Sequence, residues 1–125
     1  MKVAVLDIGS NTAKALVVQK NNSENFISIG EKSFSMRLLS GLAQKNPVFS
    51  FRVIEDVIDV IGKLIQFSSI YSPSVTCIVG TEALRRMKNS TDLVLRIKKK
   101  FSVDLQILSG ESEAYLVAQG LLTDP

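Results

Sequence analysis

The sequence predicts an α/β domain built on a mixed five-stranded sheet of order 3-2-1-4-5, flanked by helices and running β-β-β-α-β-α-α-β-α. Three observations carry this. The first third of the chain holds three strand-like stretches separated only by tight turns. The clearest helical periodicity in the chain follows them. Two later apolar stretches are then each followed by a helical pattern. A meander joined to two strand–helix units gives a mixed sheet, and right-handed crossovers place the two later strands on one side of the first.

Residues 2–7 (KVAVLD) are apolar at alternating and intervening positions alike, as in a strand buried on both faces. Residues 13–20 (AKALVVQK) read as a second strand. The link between them is too short for a helical crossover, so the pair is antiparallel. Asn21, Asn22 and Ser23 form a turn cluster, and NFISIGEKSF alternates as a third, half-exposed strand. Residues 36–49, punctuated by Gly41, Asn46 and Pro47, read as loop with a short helical turn. Ser50 then serves as an N-cap. After it Ile54, Val57, Ile58, Ile61, Leu64 and Ile65 recur at three- and four-residue steps along one helix, which Gly62 weakens slightly. Ser72 and Pro73 end that segment. Residues 74–80 (SVTCIVG) read as a buried strand, and 81–88 as a short helix with Thr81 at its N-cap. Residues 91–101 form a further helix, with Leu93, Val94, Ile97 and Phe101 on one face. Residues 103–108 alternate as a strand, and 111–122 form a last helix rich in Ala, Leu and Val.

The length of 125 residues fits one domain, and 46% hydrophobic residues supply a core. The composition predicts a soluble globular chain. No apolar run approaches the ~18–20 residues of a membrane span, and the start lacks a cleavable-leader pattern. The single Cys77 lies within VTCIVG, which reads as a buried, inert thiol in a reducing cytoplasm. The chain has no histidine, which excludes histidine acid–base chemistry, histidine metal ligation and Ser-His-Asp triads. One cysteine excludes a cysteine-rich zinc site. Carboxylates, lysines, arginines, hydroxyls and backbone amides remain. The formal net charge of +3 is mild, but basic residues cluster in EALRRMK and RIKKK. No sequence-specific nucleic-acid partner and no membrane partner are expected.

Three stretches carry candidate chemistry. In the first, Asp7-Ile8-Gly9-Ser10-Asn11-Thr12, a glycine permits close backbone approach to an oxyanion, and successive N–H groups in a tight turn bind anions. Ser10, Asn11 and Thr12 add donors, and Asp7 could hold a divalent cation. A plain hairpin turn draws on the same residue types. Neither a Walker loop nor GxGxxG is present. Lys14 follows, either contacting phosphate as a point charge or solvated at a strand end.

The second stretch is Gly80-Thr81-Glu82-Ala83-Leu84-Arg85-Arg86-Met87-Lys88-Asn89, a strand-to-helix turn that presents a helix N-terminus. Arg85 and Arg86 lie about 100° apart around a helix, so at most one faces a given site. A solvated helix face accounts for either, and for Lys98, Lys99 and Lys100. The third stretch is Leu108-Ser109-Gly110-Glu111-Ser112-Glu113-Ala114. The helix dipole accounts for both carboxylates. One of them acting as general base would need to sit within ~3 Å of a water. Glu111 and Glu113 are about 200° apart on a helix, so they do not share one task, and spacing does not choose between them.

Taken together, DIGSNT-x-K, TEALRRxKN and SGESEAYL, in this order and at these spacings, resemble the exopolyphosphatase/guanosine pentaphosphate phosphohydrolase (Ppx/GppA) family. The resemblance runs from Val3 to Leu122. The DIGSN loop alone is shared more loosely by the wider actin/Hsp70/sugar-kinase superfamily, and the second and third motifs narrow it. The resemblance implies a ribonuclease H-like (actin-like ATPase) domain, one of two similar halves with a cleft between them. It implies bacterial, cytoplasmic hydrolysis of terminal phosphoanhydride bonds in inorganic polyphosphate or guanosine pentaphosphate, with Mg²⁺. On the family pattern, Asp7, Gly9, Ser10, Asn11 and Thr12 cradle phosphate, with Asp7 on the metal. Lys14 is the basic residue after the loop, where relatives often carry Arg or His. Arg85 is the arginine of the ALR segment, and Glu113 is the base that polarises water. Kinases of this fold do not usually show the SGESEA motif.

This chain departs from the pattern at Ser112, where relatives usually have Glu, at Tyr115, where they often have Arg, and at Met87, which replaces a usual alanine. The Tyr115 difference removes a positive charge near the cleft, which bears on substrate preference. The match covers only the family's first half, without the glycine-rich loop of the second. The expectation is therefore the N-terminal domain of a longer enzyme, inactive by itself, with the C-terminal domain of the same protein as partner. The final apolar helix also offers a surface for a homodimer. The alternative is a non-catalytic regulatory module that binds polyphosphate or nucleotide on the same fold.

Overall fold

The structure, a computed structural model, describes residues 1–22, 25–36, 50–80 and 82–107. Strands β1 (Lys2–Ile8), β2 (Thr12–Lys20) and β3 (Phe26–Ser35) form an antiparallel meander. Asn21 closes the second turn twice. Its N–H donates to the Asn25 carbonyl at 2.9 Å, and its side-chain carbonyl accepts from the Asn25 N–H at 3.1 Å. Helix α1 (Phe51–Ser69) leads to β4 (Val75–Gly80), and α2 (Glu82–Arg86) and α3 (Ser90–Phe101) lead to β5 (Leu105–Ile107). The sheet order is β3-β2-β1-β4-β5, with β1, β4 and β5 parallel, as the sequence predicts. This is the ribonuclease H-like arrangement.

The hydrophobic pattern decides which face of the sheet takes the helices. Ala4, Leu6 and Ile8 of β1, Ala13, Ala15 and Val17 of β2, and Ile78 of β4 are fully buried and share one face. Against them α1 sets Ile54, Val57, Ile58, Ile61 and Leu64, the expected three- and four-residue stripe. Leu93 and Ile97 of α3 join the same core, with Leu84 and Met87. Met87, one of the departures from the family pattern, is thus a core side chain. Ser50 caps α1 as expected, its hydroxyl accepting the Val53 N–H at 3.2 Å.

The opposite face differs from expectation. Val3, Val5, Leu16, Val18, Cys77 and Val79 are half-buried and Asp7 is exposed, so β1 and β4 are not buried on both faces. The described helices α1, α2 and α3 all pack on the other side of the sheet. Cys77 is accordingly half-buried rather than fully enclosed. The second helix is also shorter than the sequence pattern, because it ends before Met87 turns into the core. Residues 37–49 of the expected loop, the Thr81 cap and the helix over 111–122 lie outside the described residues.

Candidate functional site

The parallel register fixes where the candidate residues meet. Ile8 pairs with Gly80, and Gly80 pairs with Ile107. The carboxyl ends of β1, β4 and β5 are therefore level. At this end the β1–β2 hairpin turns, α2 begins and β5 ends. In a sheet with parallel strands, this is the end where ligands gather.

The hairpin is tight. The Gly9 N–H donates to the Thr12 carbonyl at 3.0 Å, leaving Ser10 and Asn11 at the tip. The Asn11 carbonyl accepts the Met36 N–H at 2.7 Å, which ties the loop to the end of β3. Gly9 serves by size: a Cβ there would lie 3.1 Å from the Thr12 carbonyl oxygen. Ser10 is half-buried, and Asn11 and Thr12 are exposed. The loop therefore offers an amide, two hydroxyls and peptide groups to solvent from a fixed backbone, which is what an anion cradle requires.

Asp7 sits at the root of the loop, exposed, directly opposite Lys14 on the same face of the β1–β2 pair. Among the described residues no three His, Cys, Asp or Glu side chains gather into a metal cage.

Lys14 is placed beside the loop, and its Nζ lies 2.9 Å from Oε1 of Glu31 on β3. Neither reading of Lys14 from the sequence included this partner. The strand alternation was visible, but the pairing of Glu31 with Lys14 depends on the β2–β3 register.

Arg85 is half-buried on α2, just past Gly80, and Arg86 is exposed, so of the two Arg85 is the one turned toward the protein. Gly80 is buried because Leu84 of α2 occupies the space a side chain would need. That contact seats α2 on the end of β4. Glu113, with Glu111 and Ser112, lies outside the described residues, and β5 ends beside Gly80, the point from which the chain continues toward them.

The other basic cluster behaves as a solvated helix face. Lys98 pairs with Asp104 at 3.3 Å, Arg96 pairs with Glu55, and all three lysines lie in the last turn of α3, where they complement its carbonyl end. Glu55, Ile58, Arg96, Lys99 and Lys100 line an open groove of about 460 Å³ between α1 and α3, on the helical layer. No helix among the described residues is long and apolar enough to cross a membrane.

Comparison with known proteins agrees with this geometry. The family model of the Ppx/GppA phosphatases matches residues 16–124. Exopolyphosphatase 1 of Mycobacterium tuberculosis (strain H37Rv) is 28% identical over 116 residues, covering 93% of this chain and 33% of the relative. The Mycobacterium leprae exopolyphosphatase 1 is 26% identical over 93% of this chain and 34% of its own length. Among solved structures, the Aquifex aeolicus member of the Ppx/GppA family superposes with a TM-score of 0.83 at 25% identity, covering 94% of this chain and 39% of that one. An exopolyphosphatase from Cytophaga hutchinsonii shares the fold, with a TM-score of 0.87 at 23% identity, covering 97% of this chain and 38% of that one. The chain spans about a third of the length of the curated relatives it matches.

Proposed function

Because the chain belongs to the Ppx/GppA phosphatase family, we propose that it forms the N-terminal domain of a phosphohydrolase acting on terminal phosphoanhydride bonds of inorganic polyphosphate or guanosine pentaphosphate. One observation supports this most strongly. The Gly9–Thr12 hairpin, the start of α2 and the end of β5 all meet at the carboxyl end of the parallel strands. The three motifs are far apart in sequence, and the register brings two of them, and the strand leading to the third, to one place.

On this reading Gly9, Ser10, Asn11 and Thr12 bind the terminal phosphate through backbone and side-chain donors. Lys14 and Arg85 offset its charge as negative charge builds on the transferring group. Glu113 takes a proton from water as the water oxygen attacks the terminal phosphorus. The anhydride P–O bond breaks, and the shortened chain leaves with the electron pair on its oxygen. Asp7 would hold Mg²⁺, which supplies further charge neutralisation on the phosphate oxygens. The C-terminal domain of a longer protein completes the cleft, in keeping with the third of the relatives' length spanned here.

The test is phosphate release from polyphosphate and from guanosine pentaphosphate, with Mg²⁺, by the protein of the whole reading frame that contains this chain. Release from either substrate is the expected result. Binding of both without release from either overturns the hydrolase reading in favour of a regulatory module.

A further inference from the structure

We propose that Glu31 is a positioning residue that competes with phosphate for Lys14, and so limits how tightly the hairpin loop retains an anion. The inference rests on the reading of the loop as a phosphate site and adds a residue to it. Lys14 faces Asp7 on β1 and Ser33 on β3, whereas Glu31 faces Leu16, two positions further down β2. Alternation puts Asp7, Lys14, Ser33 and Glu31 on one face of the sheet. At about 3.4 Å per residue, Glu31 lies about 7 Å further from the loop than Lys14 does. The 2.9 Å ion pair therefore ties Nζ to a carboxylate rooted further from the loop than Lys14 itself.

The pair is built to exchange. Its side chains are 45% and 54% exposed, so water and salt screen it and little holds it shut. A phosphate seated in the loop presents more negative charge than one carboxylate, and a lysine on a flexible stem can turn to meet it. When phosphate leaves, Glu31 takes the ammonium back. The carboxylate thus lowers affinity for substrate and product alike and favours release of orthophosphate.

The experiment is calorimetric titration of the protein of the whole reading frame that contains this chain, each variant in a Glu113→Gln background to suppress hydrolysis, with tripolyphosphate and with orthophosphate, in Mg²⁺ at low salt. Four proteins are compared: wild type, Glu31→Gln, Lys14→Gln and the double variant. Both side chains are exposed enough for the variants to fold, which circular dichroism checks. Glu31→Gln is expected to tighten binding about threefold, a gain that fades as salt is raised. Lys14→Gln is expected to weaken binding, and adding Glu31→Gln to it should change nothing further. A purely structural role for Glu31 would not vanish with Lys14. If Lys14→Gln weakens binding while Glu31→Gln leaves it unchanged or weaker, the competition is refuted and the phosphate loop stands. If Lys14→Gln has no effect, or the wild type binds neither anion, the assignment of Lys14 in the loop fails, and this inference with it.

Discussion

Gly9 and Gly80 flank the candidate site: a side chain at Gly9 would be tight against Thr12, and one at Gly80 would overlap Leu84. At Gly9 a methyl group would press on the Thr12 carbonyl that closes the hairpin. Gly9→Ala is expected to lower stability by about 1 kcal/mol and to weaken anion binding, measurable by thermal melts and titration. At Gly80 a methyl group would overlap the buried Leu84 side chain. Gly80→Ala should cost roughly 1–3 kcal/mol in chemical denaturation and displace α2, with Arg85 on it. Both glycines were visible in the sequence as breaks in apolar runs. At Gly9 the sequence reading was room for an oxyanion, whereas the neighbour in the structure is the Thr12 carbonyl of the same hairpin. The role of Gly80 was not legible, because its reason is Leu84, a neighbour only after α2 folds back on β4. Glu31 was hidden for a similar reason. Its alternation was plain, but its partner follows from a strand register that no local pattern encodes.

At the scale of elements, the helices show which local signals suffice. Ser50 before a regular apolar stripe announced α1, and its hydroxyl does cap the helix. Ser50→Ala is therefore expected to cost about 1 kcal/mol in a melt. The end of α3 is less well served. Ser102 sits in the left-handed region at φ 58°, where glycine is the unstrained choice. Ser102→Gly should raise stability by about 1 kcal/mol, seen as a higher denaturant midpoint. The strands were legible in number, order and direction, because short links force antiparallel pairs and long ones allow parallel crossovers. Their burial was less so. Apolar residues at every position of β1 read as two buried faces, while Val3 and Val5 are only half-buried. Hydrophobicity reports what a face tolerates, and the described helices α1, α2 and α3 lie together on the other face.

Over the whole molecule, the register gathers the β1–β2 hairpin, the start of α2 and the end of β5 at one end of the sheet. Leu6 lies at the centre of the core, fully buried between β2 and β4. The family resemblance was legible from three short motifs, and the family model matches residues 16–124, which hold the second and third of them. What composition and spacing left open was the choice between Glu111 and Glu113, since a helix dipole accommodates both. The family pattern points to Glu113 as the base, and that proposed role is the central one to test. The most direct measurement is phosphate release from polyphosphate in Mg²⁺ by the protein of the full reading frame, wild type beside Glu113→Gln. A loss of at least about 100-fold in kcat, with polyphosphate binding retained, is the predicted result. A Glu113→Gln protein that releases phosphate at the wild-type rate would contradict it.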